Sequence, residues 1–134
     1  MRKIAATYIF PLTRPPLKFG ILTCTCNGSI LDLIDTEGIL HEQAGLEFYS
    51  GIIVPGCINE NLLNKLIQKK IHSQDQTIQQ LFEWIVDWMK SEGIPFIDFK
   101  KDENPGINLI TGIDFIHLKF KSTARVKTLL PPIL

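Results

Sequence analysis

The sequence predicts an α+β fold that is mainly β, with two helices placed between two groups of strands. In the first 55 residues, short runs rich in β-branched and aromatic residues are separated by turn signals, which is typical of strands. After Pro55-Gly56 the apolar residues recur about every 3.6 residues instead of every two, and the extended pattern returns at Ile107. A chain of 134 residues with 45% hydrophobic content is long enough for one domain with a buried core.

The N-terminal strands are predicted from alternating apolar residues at 3–10, 19–26 and 30–34, with two further short strands within 46–54. Asn27-Gly28 is the strongest local signal, because Asn-Gly suits the two positive-φ positions of a type I′ hairpin turn. Ser50-Gly51 is interpreted as the junction between the last two strands. At Pro55-Gly56 the sheet pattern stops, since proline lacks the N–H that a ladder needs and glycine permits a sharp turn.

Two amphipathic helices follow this turn. The first has one apolar face, made of Leu63, Leu66, Ile67 and Ile71, and Asn59 or Asn61 can cap it. Ser73 and Gln76 have the spacing of a capping box before the second helix. That helix ends at Gly93, and it carries a wide apolar stripe of Ile78, Leu81, Phe82, Ile85, Trp88 and Met89.

The C-terminal part predicts a strand at 107–111, a turn at 112–114, and extended segments at 115–120 and 125–130. A sheet of two or three strands is not stable alone, so strands from both ends of the chain are expected to join one sheet that the helices cover. The expected organisation is a single domain, residues 1–134, with N-terminal strands at 1–58, a two-helix insert at 59–93 and C-terminal strands at 94–134.

The charge balance argues against a nucleic-acid or anionic-membrane partner, because 14 basic residues match 14 acidic ones and no basic run exceeds two residues. No apolar run approaches the roughly 20 residues of a membrane span, so a cytoplasmic protein is expected. Cys24 and Cys26 are predicted to share one face of a strand. Two thiolates are not a closed zinc site, so these are interpreted as ordinary half-buried cysteines.

Several ordered segments resemble the metal-dependent amidohydrolase superfamily, most closely its branch of aminofutalosine and guanine deaminases and chlorohydrolase-like proteins. These segments are KIAATYIFPL at 3–12, residues 16–22, the Asn-Gly turn, EFYSGIIVPG at 47–56, the helix at 77–89 and NPGINLI at 104–110. The resemblance implies the composite domain of metal-dependent hydrolases, a β-sandwich or pseudo-barrel built from both chain ends. The two helices would then stand where that family inserts its TIM barrel.

The same resemblance implies that the catalytic parts of the family are missing. A (β/α)₈ barrel takes about 250 residues, and only the stretch between Cys57 and Asn104 is left for one. Asn61 and Leu63 stand where the family has the two histidines of a His-x-His metal motif. An amide is a poor zinc ligand and leucine is none, so we expect no catalytic residue, no cofactor and no metal.

A metal site could have been rebuilt near the Pro55-Gly56 turn. Cys57, Glu60 and His72 are the residues that could converge there. This is the weaker interpretation, and the other histidines, His41 and His117, are interpreted as surface residues.

The leading functional hypothesis is a non-catalytic remnant of an amidohydrolase, a hydrolase of C–N bonds other than peptide bonds by resemblance only, that acts as an interaction or regulatory module. The alternative is a small-molecule or metal-binding protein with a re-used pocket between sheet and helices, and a third is a decayed gene product without a selected role.

Without the barrel an apolar flank would be exposed, and such a flank favours an interface. We therefore expect a homodimer through the helices, from Leu62 to Ile71 and from Ile78 to Met89, or else an unidentified protein partner. Trp84 and Val86 lie off the main stripe and add apolar surface to the second helix.

Overall fold

The computed structural model describes residues 1–40, 43–70 and 77–132. Within these ranges the chain has seven strands and two helices, so the expected α+β, mainly β class is confirmed. The elements are β1 (Arg2–Ile9), β2 (Leu17–Lys18), β3 (Ile21–Cys24), β4 (Ile30–Ile34), β5 (Leu46–Pro55), α1 (Glu60–Lys70), α2 (Ile78–Ser91), β6 (Ile107–Asp114) and β7 (Lys119–Leu130).

The described strands form one mixed sheet in the order β4-β3-β1-β5-β6-β7, with β2 paired to the end of β1. β1 and β5 run parallel, with Ile4 opposite Glu47 and Ile9 opposite Ile53. The other pairs are antiparallel. β5 pairs with β6, and this pairing joins the strands that precede the helices to those that follow them.

The turn between β3 and β4 forms where the sequence predicts it, but with a different geometry. The N–H of Gly28 donates to the carbonyl of Thr25 over 3.0 Å, and the N–H of Thr25 donates to the carbonyl of Ser29 over 2.9 Å. Gly28 has a φ of 92°, whereas Asn27 is not among the residues with positive φ. A type I′ turn needs both, so the predicted turn type was wrong.

β5 is a single strand of ten residues, not the two short strands predicted. Gly51 does not interrupt this strand, because the missing side chain allows β6 to approach closely at this point. A Cβ at Gly51 would lie 2.3 Å from the carbonyl oxygen of Ile110. The pairing of β1 with β5 shifts in register between Ala6 and Tyr8, beside Gly51, and continues on both sides of this shift.

The turn between β6 and β7 lies at 115–118, not at the predicted 112–114. β6 continues through Gly112, where a Cβ would lie 2.7 Å from the Cα of Ala124. The Asp114 carboxylate accepts hydrogen bonds from the N–H groups of Ile116 and His117, both over 3.0 Å. These bonds fix the turn after Asp114 instead of at Gly112. A glycine therefore marks a bulge at this position rather than a turn.

The first helix begins at an asparagine cap. The side-chain oxygen of Asn59 accepts the N–H of Leu62 over 2.9 Å, which selects Asn59 over Asn61 as the capping residue.

The second helix begins at a capping box and ends at a glycine. The hydroxyl of Thr77 accepts the N–H of Gln80, and the Gln80 side chain accepts the N–H of Thr77, both over 3.1 Å. The box predicted at Ser73 and Gln76 lies outside the described residues. Gly93, with a φ of 68°, ends the helix as predicted.

The two faces of the sheet bury two separate apolar clusters. Ile52 and Val54 belong to the first cluster and Ile53 to the second, and successive residues of a strand point to opposite faces. Both helices cover the first cluster, with buried side chains Leu62, Leu63, Leu66, Leu81, Phe82, Ile85 and Met89. The helices therefore pack on one face only.

The connecting segment 99–106 covers part of the second cluster. Phe99 contributes a buried ring, and the N–H of Ile30 donates to the carbonyl of Glu103 over 2.9 Å. The N–H of Asp102 donates back to the carbonyl of Ile30 over 2.8 Å. The segment that leads into β6 thus also pairs with the first residue of β4.

Replacing Gly51 with alanine tests the close approach of β5 to β6. The Gly51 φ is 145° and the space is occupied by the Ile110 carbonyl, so Gly51→Ala should lower the free energy of unfolding by at least about 2 kcal/mol. Chemical denaturation measures this. The exposed neighbour provides the control, since Ser50→Ala should change stability by less than about 0.5 kcal/mol. Equal stability of the two variants would contradict the geometry.

Candidate binding groove

The residues of the hypothetical rebuilt metal site have other partners in the structure. The Cys57 Sγ lies 3.7 Å from the carbonyl oxygen of Ile97 and is half-buried, and burial raises the pKa of this thiol. The Glu60 carboxylate is turned toward β7. His72 lies outside the described residues. A protonated thiol is a poor nucleophile and a poor metal ligand, so Cys57 does not resemble an activated cysteine.

Glu60 sits in the first turn of α1 and binds the outer edge of β7. Its Oε2 accepts the N–H of Val126 over 2.8 Å, and its Oε1 lies 3.7 Å from the Nε of Arg125. A carboxylate is favoured at a helix N-terminus, and here it also satisfies a backbone donor of an edge strand. Glu60 therefore has a structural partner for each of its oxygens.

Asn61 and Leu63, the two positions at which the resemblance implied lost histidine ligands, lie on different sides of α1. Leu63 is fully buried in the first cluster, and Asn61 is exposed. An exposed amide and a buried leucine cannot act as a pair of ligands, so α1 uses these positions for packing and solvation.

The cysteine pair does not share one face of a strand, because β3 ends at Cys24. Cys24 is fully buried in the second cluster, and burial raises its pKa. Cys26 lies in the following turn and is exposed. The two thiols therefore occupy different environments, and the prediction that they line one face was wrong.

An ion-pair network lies on the second face, at the start of β1. The Arg2 guanidinium binds the Glu47 carboxylate with two hydrogen bonds, of 2.8 and 2.7 Å. The Tyr49 hydroxyl donates to the same carboxylate over 2.9 Å. These bonds lower the pKa of Glu47, and burial together with the hydrogen bond to Glu47 raises the pKa of Tyr49. Both pKa values therefore move away from 7, whereas a general acid or base works best with a pKa near the working pH.

His117 lies in the turn between β6 and β7 and is exposed, with its Nδ1 2.7 Å from an oxygen of Asp114. The pKa of Asp114 is lowered to about 2. The largest cause is the side-chain hydrogen bond with His117, and the backbone N–H of His117 is the next. This pair closes the turn between β6 and β7. His41 lies outside the described residues.

Among residues 1–40, 43–70 and 77–132, no group of three or more His, Cys, Asp or Glu side chains could hold a metal ion. In the same ranges, no helix is long and apolar enough to cross a membrane.

A groove lies between α2 and the loop that joins β1 to β2, and its volume is about 350 Å³. Residues from the loop form one wall and residues from one face of α2 form the other. The lining consists of Phe10, Leu12, Thr13, Arg14, Pro15 and Pro16 on the loop side and Gln79, Phe82, Glu83, Val86 and Asp87 on the helix. We name this cavity the α2 groove.

The floor of the α2 groove is aromatic and closely packed. The rings of Phe10 and Phe82 lie 4.2 Å apart between centroids, and both side chains are 2% exposed. Tyr8 extends the aromatic contact, with its ring 6.2 Å from that of Phe82 and 5.7 Å from that of Phe115. Because the first cluster holds these rings from below, the floor does not depend on a ligand for its shape.

The loop wall is fixed at three points. The N–H of Phe10 donates to the carbonyl of Ile53 over 2.8 Å, which extends the β1–β5 pairing by one residue. The N–H of Arg14 donates to the carbonyl of Pro11 over 2.9 Å. The hydroxyl of Thr13 donates to the carboxylate of Asp98. Two prolines, Pro15 and Pro16, further limit the backbone of this wall.

The helix wall carries the charges. Gln79, Glu83 and Asp87 are spaced four residues apart and lie on one side of α2. The Gln79 side chain donates to the Glu83 carboxylate over 3.2 Å. Asp87 and Arg14 have no side-chain hydrogen bond or ion pair within the described part of the chain. The groove thus combines an apolar floor with a rim of two carboxylates and one guanidinium.

The sequence did not reveal this groove. Its helix face was predicted from the apolar stripe that contains Phe82, but Arg14 and Asp87 are far apart in the chain and match no motif. The usable signal was the Pro11 to Pro16 segment, which indicates a stiff loop next to a strand end.

Comparison with known proteins finds no matching family model, no matching curated protein and no matching solved structure.

The Asp114 carboxyl provides a test of the β6–β7 turn. Its pKa is lowered from the usual 3.8 to about 2, so the ionised form stabilises the turn above pH 3.8 and this contribution is lost as the pH falls through about 2. Carboxyl chemical shifts followed by NMR should give this pKa. In His117→Ala the pKa should rise toward 3.8, because the side-chain bond is gone. An unchanged pKa in that variant would contradict the assigned cause.

Proposed function

We propose that the chain is a non-catalytic binding module and that the α2 groove is its ligand site. The observation that carries this proposal is a pre-formed cavity of about 350 Å³ with an apolar floor and a few polar side chains on its rim. Cavities of about this size and composition are typical of sites for small molecules.

The non-catalytic part of the proposal is supported by the state of the candidate reactive groups. The Cys57 thiol has a raised pKa, and Glu60 is bound to the edge of β7. The residues that line the α2 groove include no His, Cys, Ser or Lys, and the one lining hydroxyl, that of Thr13, donates to the Asp98 carboxylate in a contact that anchors the loop.

We further propose that the fold is the composite domain of the metal-dependent amidohydrolase superfamily without its barrel. Support comes from the segments that resemble this family and from the sheet, in which strands that precede and follow the helices pair side by side. In the sequence, α1 and α2 lie between the two groups of strands, where the family inserts its barrel. Leu63 is buried in the core at a position where the family has a metal ligand. On this proposal, the two helices take the place of the catalytic barrel in the chain, and their role is to cover the sheet.

A second candidate function is self-association through the helices. Ile67, Trp84, Val86 and Trp88 are only partly buried, although they contact the first cluster, so both helices keep some apolar surface. An interface between copies of the chain would cover it.

The ligand proposal predicts that a neutral aromatic alcohol, 3-phenylpropan-1-ol, binds in the groove. In a ¹⁵N-labelled protein, backbone amide shifts should change at Phe10, at 12–14 and at 79–87 and little elsewhere. Val86→Trp fills the groove and should reduce the shift changes at least about tenfold. Lys90→Trp, on the same helix but outside the lining, is the matched control and should bind as the natural chain does.

Since Val86 also contacts the first cluster, a second blocking variant is needed. Gln79→Trp places the same ring at an exposed rim position and should block binding without loss of thermal stability. Shift changes spread over the whole surface, or unchanged binding in both variants, would overturn the ligand proposal.

The self-association proposal predicts a particle of twice 15.2 kDa in size-exclusion chromatography with light scattering. Trp84→Asp on α2 should shift this species toward the monomer, because a charge opposes burial of that surface. The same change at Phe48, an exposed side chain of β5 that belongs to neither apolar cluster, is the control. A monomer at all concentrations would contradict this proposal and would leave the ligand proposal intact.

A further inference from the structure

We propose that the α2 groove selects small organic cations, that is, protonated amines attached to an apolar or aromatic body. This inference rests on the proposed function and adds the charge of the ligand to it. It is carried by the unequal charge of the two walls and by the aromatic floor between them.

The fixed charges of the lining favour a cation. Glu83 and Asp87 contribute two carboxylates from adjacent turns of α2, and Arg14 contributes one guanidinium from the loop. Asp98 adds a third carboxylate next to the loop wall, since Thr13 donates to it. The potential inside a cleft follows the charges that line it, and here two carboxylates against one guanidinium give the lining a net negative charge.

The floor suits the apolar body of such a ligand. The rings of Phe10 and Phe82 lie 4.2 Å apart and are held by the first cluster, and Val86 and Pro16 continue the apolar lining. Both rings are almost completely buried, so the floor offers apolar contact and the charged rim supplies the preference for a cation.

One feature of the groove opposes this preference, namely the N-terminus of α2 beside Gln79. A helix N-terminus attracts anions through its unpaired N–H groups. Here the capping box already takes up donors, because the N–H of Gln80 binds the Thr77 hydroxyl and the N–H of Thr77 binds the Gln80 side chain. The remaining attraction for anions fades within the first turn, before Glu83 and Asp87.

The test compares three probes that share one body and differ in charge. They are 3-phenylpropylamine, 3-phenylpropan-1-ol and 3-phenylpropanoate, titrated into the labelled protein at pH 7 and followed by the amide shifts of Phe10, 12–14 and 79–87. The amine should bind about threefold more tightly than the alcohol, and the acid more weakly than the alcohol, as expected for partly exposed charge pairs. Added salt should reduce these differences.

Variants assign the preference to named residues. Glu83→Gln combined with Asp87→Asn should equalise the amine and the alcohol, whereas Arg14→Gln should strengthen amine binding by removing the like charge. Glu92→Gln, which changes the exposed C-cap residue of α2 outside the groove lining, is the control and should preserve the preference.

The outcomes separate the two proposals. Groove binding in which the acid equals or exceeds the amine overturns the inferred ligand charge and leaves the ligand site in place. A preference that survives the double variant also overturns it. No binding of any of the three probes overturns both the ligand charge and the proposed function.

Discussion

The parallel pairing of β1 with β5 is the interaction on which the rest of the structure depends. β1 sits between β3 and β5, and β5 sits between β1 and β6, so these two strands connect the N-terminal hairpin to the strands that follow the helices. Parallel strands are usually buried on both faces, and Ile52, Ile53 and Val54 of β5 are almost completely buried. Each face of this central pair carries one of the two apolar clusters.

The α2 groove follows from this arrangement. Phe10 extends β1 by one hydrogen bond to β5, and the chain then leaves the sheet through a proline-rich loop that faces α2. The helix is held by buried side chains such as Phe82 and Met89, so the charged residues on its other side are presented at a fixed position. A site of this kind needs no moving part to form, and pre-formed sites lose less free energy on binding than flexible ones.

The sequence predicted the fold class and both helices because these depend on local patterns. The 3.6-residue period, Asn59 and Gly93 each specify a helix or its end without reference to the rest of the chain. Gly51 and Gly112 were misinterpreted, since a glycine in a strand signals a turn, a bulge or a close approach equally well. Only the position of the Ile110 carbonyl and of Ala124 decides between them.

The candidate site was much less predictable than the fold. Cys57, Glu60 and His72 are close in sequence and of the right chemical types, yet the Glu60 carboxylate binds Val126, which is distant in the chain. Arg14 and Asp87 carry no motif, and they line one groove only because of how α2 packs on the sheet. Sites assembled by tertiary packing leave little trace in local patterns.

The contact between Glu60 and Val126 has a consequence for how this chain avoids aggregation. An edge strand offers unpaired N–H groups to any other extended chain, and one such group of β7 is occupied by a side chain of α1. If α1 moves away from the sheet, the N–H of Val126 at the edge of β7 therefore loses its partner at the same time. Local opening of a single short helix, which needs less free energy than global unfolding, would uncover a site for strand exchange between molecules. Opening of α1 would therefore add one backbone donor to those that the edge of β7 offers to another extended chain.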